Sequence, residues 1–247
     1  MKLSIIIPAY NEERRIRRTL QAYHQFFTEV KRRGDFDFEL VVVLNGCKDN
    51  TLGIVQEVAS SMDNLYIIDT CDAGKGLAIK LGFADALTRD SDVIGFVDAD
   101  MATAPEAFDD LVINLDACDG VIASRYMSNS VVYPPRPWIK RWGSRLIYES
   151  LVWLLFGLQY DDLQCGAKVF KRHTLQQIVP GLRIRQWAFD VELLCLCKRN
   201  GFVIKEHPTV WHDQTGSKLT LRSGFYMLGS IVKLRLRYSP LRFLFKQ

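Results

Sequence analysis

The stretch that most constrains this chain is Val93-Ile94-Gly95-Phe96-Val97-Asp98-Ala99-Asp100. A continuous apolar, β-rich run reads as a strand buried on both faces, as strands of parallel sheets are. It ends abruptly in carboxylates spaced i, i+2, at Asp98 and Asp100. In an open α/β sheet the carboxyl ends of the strands form the crevice where ligands bind. Carboxylates crowded there repel each other unless a cation or a set of donors compensates them, and hard divalent cations take oxygen ligands. The pair is therefore read as holding Mg²⁺ or Mn²⁺ that carries a diphosphate. A solvated turn after a strand would show the same three residues.

The rest of the chain repeats the strand-helix alternation. Leu3 to Ile7 is predicted as a strand ended by Pro8, and Asn11 as the N-cap of a helix that buries Ile16, Leu20, Tyr23, Phe27 and Val30 before Gly34. A strand over Glu39 to Leu44 precedes a turn over residues 45–50 and a helix from about Thr51 to Ser61. Leu65 to Ile68 is a third strand. Gly74-Lys75-Gly76 opens a helix with Leu77, Leu81, Ala84 and Leu87 on one face. After the Asp pair, Pro105 suits the first position of a helix, and Val121 to Ser124 is a further strand. This order implies an α/β fold with a mostly parallel sheet flanked by helices.

Past Arg125 the character changes. Met127 to Arg145 is rich in Pro, Ser and Arg and reads as a mobile loop with a basic end at Lys140, Arg141 and Arg145. Leu146 to Leu158 is almost wholly apolar but too short to span a bilayer, so it fits a core helix or one lying in the plane of an interface. From Ser223 onward, Phe225, Tyr226, Met227, Leu228, Ile231 and Leu234 mix with Lys233, Arg235, Arg237, Arg242 and Lys246. Such a tail suits an anionic membrane surface, and equally a helix docked on the protein itself. The expected organisation is a domain over residues 1–222 and an amphipathic basic segment over 223–247.

Composition excludes several classes. The 247 residues carry a formal net charge of +4, too mild to argue for nucleic acid, and no basic stripe is interleaved with aromatics. The six cysteines show no C-x-x-C pair and no zinc spacing, which fits reduced thiols in a cytosolic setting. His24, His173, His207 and His212 show no ligand spacing either. Met1 to Pro8 is too short an apolar run for a signal peptide, and no stretch of about 18 apolar residues is present.

Taken in order, Pro8-Ala9-Tyr10-Asn11-Glu12, Lys48-Asp49-Asn50-Thr51, Gly74-Lys75-Gly76 and Asp98-Ala99-Asp100 resemble family 2 glycosyltransferases of the GT-A fold. Three later motifs narrow this: Asp162-Leu163-Gln164-Cys165-Gly166-Ala167-Lys168-Val169-Phe170, Gln186-Trp187-Ala188-Phe189-Asp190-Val191-Glu192-Leu193-Leu194, and Gly216-Ser217-Lys218-Leu219. They resemble dolichyl-phosphate β-glucosyltransferases and, less closely, dolichyl-phosphate mannose synthases. The resemblance runs over residues 3 to 240 and implies a metal-dependent, inverting transfer of a hexose from a nucleotide sugar to a polyprenyl phosphate.

Site residues follow from it position by position. The donor is expected on Pro8, Ala9, Tyr10, Glu12, Asn45, Asp49, Lys75, Asp98 and Ala99, with the metal on Asp98 and Asp100. The family often has Asp-Asp-Gly-Ser where this chain has Leu44-Asn45-Gly46-Cys47. An Asn carbonyl can accept from a uracil N–H, which leans toward UDP-glucose over GDP-mannose. Gly74-Lys75-Gly76 is no Walker A loop; Lys75 is either a donor contact or a solvated lysine in a first helical turn. The mannose synthases tend to have Gln where this chain has Ala102, so a third protein ligand is not identified. Arg125, Arg141, Ser144 and Lys218 are expected at the acceptor phosphate, and Asp162 and Gln164 in the sugar or acceptor pocket, with Asp190 and Glu192 as further candidates. Trp187 and Phe189 fit either that pocket or the packing of a helix start. An enzyme bound peripherally to the cytoplasmic side of a membrane results. A GDP-mannose-dependent polyprenyl-phosphate mannosyltransferase, a family 2 transferase with a saccharide acceptor and a nucleotide-sugar-binding protein without turnover are the alternatives.

Overall fold

A computed structural model describes residues 1–135, 148–186, 188–214 and 221–238. Its first half alternates β1 (Lys2–Ala9), α1 (Ile16–Arg32), β2 (Asp37–Asn45), α2 (Thr51–Ala59), β3 (Leu65–Thr70), α3 (Lys75–Ala86), β4 (Val93–Val97), α4 (Pro105–Ile113) and β5 (Gly120–Ser124). Then come β6 (Val131–Tyr133), a helix over residues 148–156 (α5), β7 (Ala167–Lys171) and α6 (Arg172–Ile178). The chain continues through α7 (Phe189–Arg199), β8 (Ile204–Pro208), β9 (Val210–His212) and α8 (Leu221–Arg237). Seven strands form one sheet in the order β3-β2-β1-β4-β7-β5-β8. Every pairing is parallel except those of β7, which runs antiparallel to β4 and β5.

The apolar runs divide by parity, as side chains that alternate across a sheet must. Leu3, Ile5 and Ile7 of β1, with Leu40, Val42 and Leu44 of β2, meet Leu20, Tyr23 and Phe27 of α1 and Phe108 of α4. Ile6, Val41, Val43, Ile94 and Phe96 face the opposite layer, where α3, α6 and α7 pack. Both faces are covered, which explains why these strands show no alternation in sequence.

Several local expectations are corrected. Pro8 lies inside β1, paired with Val43 of β2. The ladder with β4 has already ended at Ile6–Phe96, so on that side the missing N–H of Pro8 forfeits no bond. Asn11 caps nothing. Helix α1 starts at Ile16 after an N-cap at Arg15, and Asn11 sits at φ 53° with its side-chain oxygen accepting from the Lys48 N–H at 2.7 Å. Helix α3 buries Ala78, Ile79, Gly82, Phe83 and Ala86, while Ala84 is exposed and Leu77, Leu81 and Leu87 are only half-buried. Its small residues let the helix lie close on β1 and β2, and that close approach outweighs the pull of the leucines.

The predicted mobile loop holds β6, which pairs in parallel with β9. Helix α5 is two-faced: Tyr148 and Val152 are buried, whereas Trp153 and Leu154 are 53% and 73% exposed. In α8, Ile231 and Leu234 are buried in the same apolar layer as α3 and α7, with Val232, Lys233, Arg235 and Arg237 exposed. That helix runs through the expected boundary at 222/223. Among the described residues no helix is long and apolar enough to cross a membrane. Lys140, Arg141, Ser144, Arg145, Trp187 and Gly216 to Leu219 lie outside the described residues, as do the side chains of Phe225 to Leu228 and the positions Arg242 and Lys246.

Candidate active site

Asp98 follows β4 directly, at the carboxyl end of the sheet's central strands. Its N–H donates to the Gly166 carbonyl at 3.1 Å, which extends the β4–β7 pairing by one step. The Asp98 carboxylate lies against Gly166, where any Cβ would land on it. Gly166→Ala is therefore expected to displace this carboxylate and cost about 1–3 kcal/mol of overpacking. Thermal unfolding and turnover would report the two effects separately. Two buried hydroxyls from α1 pin the loop that follows. Thr19 Oγ1 donates to the Ala99 carbonyl at 2.7 Å, and Tyr23 Oη to the Thr103 carbonyl at 3.0 Å. Between them Met101 has φ 61°, an unfavourable region for a residue with a side chain.

The carboxylate pair is partly open to solvent, 28% at Asp98 and 26% at Asp100, so its oxygens face the crevice and are not sealed in the core. Lys75, at the start of α3, places Nζ 2.5 Å from Asp98 Oδ1. Burial would lower the Lys75 ammonium, but the Asp98 and Asp190 charges outweigh it and leave the group raised. Asp100 Oδ1 accepts from the Ala102 N–H at 3.0 Å, and Arg15 Nη1 is 3.9 Å from Oδ2. Burial, and then repulsion from Asp98, push the Asp100 carboxyl above its ordinary value. Two hard oxygen donors that repel each other, with one of them raised, fit a divalent cation. No third His, Cys, Asp or Glu joins them in ligand geometry among the described residues.

Two residues expected to contact the nucleotide are occupied within the protein. Asn45 is 3% exposed; its Nδ2 donates to the Ala9 carbonyl at 2.9 Å and its Oδ1 accepts from the Gly74 N–H at 3.2 Å. Its carbonyl is thus engaged within the protein, so the lean toward UDP drawn from it finds no support in this geometry. Asp49 accepts from the N–H groups of Glu13 at 3.2 Å and Thr51 at 3.1 Å, and from Thr51 Oγ1 at 2.5 Å, which braces the turn before α2. Glu12 holds Arg15 through two 2.7 Å bonds. Ala9 and Ala99 are buried, Pro8 is buried beside Ala9 inside β1, and Tyr10, just past the strand, is 38% exposed. Gly74, at φ 155°, lets the chain enter α3 where a Cβ would strike the Arg185 carbonyl.

Arg125, expected at the acceptor phosphate, directly follows β5 and is bound by Asp162: Nε donates to Oδ2 at 2.6 Å, Nη2 to Oδ1 at 2.8 Å, and the Arg125 N–H to Oδ2 at 3.0 Å. Asp162 is buried and the Arg125 side chain is 14% exposed, and the Asp161 and Asp162 N–H groups donate to the Glu206 carboxylate at 2.8 and 2.9 Å. Burial would raise the Asp162 carboxyl, and the Arg125 guanidinium outweighs it and holds the group below its usual value. The guanidinium also lies 4.9 Å from the Trp211 ring. Gln164, half-buried, sits two residues on. The charge of Arg125 is thus balanced by the Asp162 carboxylate. Register pairs Tyr133 of β6 with His212 of β9; Arg141, Ser144 and Lys218 lie outside the described residues.

Sequence reasoning missed Lys168. It lies mid-strand in β7, fully buried, and donates to Asp190 Oδ1 and to the Cys165 carbonyl, each at 2.7 Å. A lysine inside the strand Ala167-Lys168-Val169-Phe170 was the available signal, since an unpaired ammonium there is prohibitive. Glu192 has a different task from the one expected. Fully buried, it accepts from the Arg183 and Ile184 N–H groups at 2.8 and 2.6 Å and so fixes the loop whose Arg185 carbonyl receives the Leu77 N–H of α3.

The family model of Glycosyl transferase family 2 matches residues 4–179 of this chain. Over 236 residues the chain is 33% identical to a dolichyl-phosphate beta-glucosyltransferase of Drosophila melanogaster, covering 89% of this chain and 70% of the relative. It is 31% identical to the Saccharomyces cerevisiae protein of the same name, over 96% and 75% of the two chains. Among solved structures, glucosyl-3-phosphoglycerate synthase from Mycobacterium tuberculosis with uridine diphosphate superposes with a TM-score of 0.66 at 18% identity, covering 95% of this chain and 79% of that one. Another structure of that enzyme, with Mn²⁺, uridine diphosphate and phosphoglyceric acid, gives 0.65 at 17% identity over 95% and 77%. At these identities the likeness is one of fold, the GT-A fold.

Proposed function

This chain belongs to glycosyl transferase family 2, and we propose that it moves glucose from UDP-glucose onto a polyprenyl phosphate of the dolichyl type, with inversion at the anomeric carbon. That it is a glycosyltransferase follows from the family and its relatives. The single observation carrying the mechanism is the Asp98–Asp100 pair at the end of β4 with Lys75 on one of its carboxylates. The choice of glucose and of a lipid phosphate rests on the names of the relatives, and uridine on the uridine diphosphate of the structural neighbour.

Asp98 and Asp100 would hold Mg²⁺ or Mn²⁺, which when bound neutralises the charge growing on the departing diphosphate. Lys75 adds a fixed positive charge beside them at the N-terminus of α3, whose N–H groups favour an anion. Thr19 and Tyr23 keep the loop of the pair from shifting as charge develops.

A phosphate acceptor removes the need for a general base. A phosphate monoester has a second pKa of about 6 and is largely a dianion near neutral pH. Its oxygen attacks without giving up a proton, so the protein has only to position it. The Arg125–Asp162 pair suits that task, because a balanced guanidinium can orient an anion without quenching its nucleophilicity. Arg141, Ser144 and Lys218 are proposed to complete the phosphate site, and Gln164 to line it. The exposed Trp153 and Leu154 of α5 and the exposed Lys233, Arg235 and Arg237 of α8 would meet the membrane surface, on its cytoplasmic side, where the acceptor headgroup lies.

The acceptor itself provides the test. Incubated with UDP-glucose, the enzyme is expected to glucosylate dolichyl phosphate and leave dolichol, which differs only in the phosphate, unmodified. Transfer to the alcohol at a comparable rate would show that a general base operates and would overturn this mechanism. A product from GDP-mannose alone would keep the mechanism and change the donor.

A further inference from the structure

Two charged groups of the crevice meet at one aromatic residue. Trp211, the middle residue of β9, is 7% exposed and belongs to the same apolar layer as Ala99 and Ala102 of the carboxylate loop. Its main chain forms an antiparallel bridge with Thr103, and the His212 N–H donates to the Ala102 carbonyl at 2.8 Å. The Ala102 N–H in turn donates to Asp100 Oδ1 at 3.0 Å. The strand carrying Trp211 is thus tied by main-chain bonds to the loop that carries the pair.

The side chain of Trp211 reaches a second charged group. Asp98 follows β4 and Arg125 follows β5, and both strands run antiparallel to β7 between them, so the two residues leave the sheet at the same edge. The Arg125 guanidinium carbon lies 4.9 Å from the centre of the Trp211 ring, within reach of a cation–π contact. Asp162 holds the guanidinium by its edge, through Nε and Nη2, and the indole holds it by its face. The indole is itself fixed. Its Nε1 donates to Asp213 Oδ1 at 2.9 Å, and the Asp213 N–H donates to the Tyr133 carbonyl at 2.6 Å. A tryptophan that only filled the core would need its packing and one hydrogen bond. Here the same residue also faces a cation and is bridged to the loop of the carboxylates.

We propose that Trp211 is a positioning residue that sets the Arg125 guanidinium relative to the Asp98–Asp100 loop, and with it the acceptor phosphate relative to the donor. Transfer needs the attacking oxygen in line with the departing diphosphate, and a misplacement of about 1 Å can cost about 10²-fold in rate. The donor is anchored at one end of that distance and the acceptor at the other, and Trp211 joins the two anchors. Buried, it acts through Arg125 and not on the sugar or the phosphate itself. This role rests on the transferase reading above, with Arg125 as a phosphate contact, and deepens it.

Trp211→Leu and Trp211→Phe separate this role from packing. Both shrink the side chain and remove the bond to Asp213, so both are expected to lower the melting temperature, and activity is measured well below it. Only phenylalanine keeps an aromatic face for the guanidinium. With UDP-glucose as donor, Trp211→Leu is expected to raise the KM for dolichyl phosphate about 3- to 10-fold and to lower kcat about 10- to 100-fold. Calorimetric affinity for UDP with Mn²⁺ is expected to be unchanged, because the main-chain bridge to Thr103 does not depend on the side chain. Trp211→Phe is expected to recover most of both losses. If the wild type prefers GDP-mannose, the same comparison is made with GDP-mannose and GDP. Unchanged KM and kcat per folded molecule in Trp211→Leu, equal losses in the two variants, or UDP binding weakened in step with turnover would overturn the role and leave the transferase reading standing. Failure of the wild type to transfer a hexose to dolichyl phosphate from either sugar nucleotide would count against the transferase reading, and with it this role.

Discussion

Asp98→Asn is expected to lower turnover by about 10²–10³-fold while leaving the protein folded, the loss typical when a fixed group facing developing charge is removed. The structure explains both halves. Asp98 is a partly exposed carboxylate at a crevice, beside a second carboxylate that it repels. Neutralising it relieves that repulsion but also weakens the ion pair with Lys75, so the melting temperature should shift little, and the Asp100 carboxyl should fall toward its usual value. What is lost is a charge that Lys75 engages at 2.5 Å and that a divalent cation would share. Turnover at saturating donor, measured beside thermal unfolding, separates this from simple destabilisation.

Asp162→Ala is expected to act the other way, through the fold. Its carboxylate, itself buried, accepts two side-chain bonds and one main-chain bond from Arg125, whose side chain is only 14% exposed. Removing one member of a buried pair leaves the other charge uncompensated, at a cost of about 3–5 kcal/mol. The loss should be visible as an earlier midpoint in denaturant with an unchanged slope. The same pairing sets a pH dependence. Since Arg125 holds the folded carboxyl below its unfolded value, its contribution is fully present above the unfolded value near 3.9. It disappears as pH falls through the folded value. Wild type should lose this stability in strong acid, and Asp162→Ala should lack that part of the acid transition.

The elements most legible in the sequence were those set by long, continuous chemistry. Val93 to Asp100 combined an uninterrupted apolar run with an abrupt polar end, and both the strand and the placing of Asp98 and Asp100 at the carboxyl end of the sheet are found. Polar side chains near that end were harder, because spacing along a strand tells which loop a residue occupies and not what its atoms bond. Asn45 ends β2 and Asp49 lies in the turn after it, and each is turned inward to brace backbone. Helix α3 was placed at its start but rotated, since large leucines are a weaker guide than small residues where a helix lies close on a sheet. Strands β6 and β9 have three residues each, too few for any period to register. Lys168 lies inside a motif that carries the family resemblance, yet a lysine within a buried strand carries its own physical message.

The central claim is transfer of a hexose to a polyprenyl phosphate by a carboxylate pair working with a divalent cation. The most direct measurement is transfer of labelled glucose from UDP-glucose to dolichyl phosphate in detergent, with Mg²⁺, with Mn²⁺ and with EDTA. The account expects a lipid-linked product with either metal and none with the chelator. Equal product in EDTA, or no lipid product from any sugar nucleotide despite clear nucleotide binding, would contradict it.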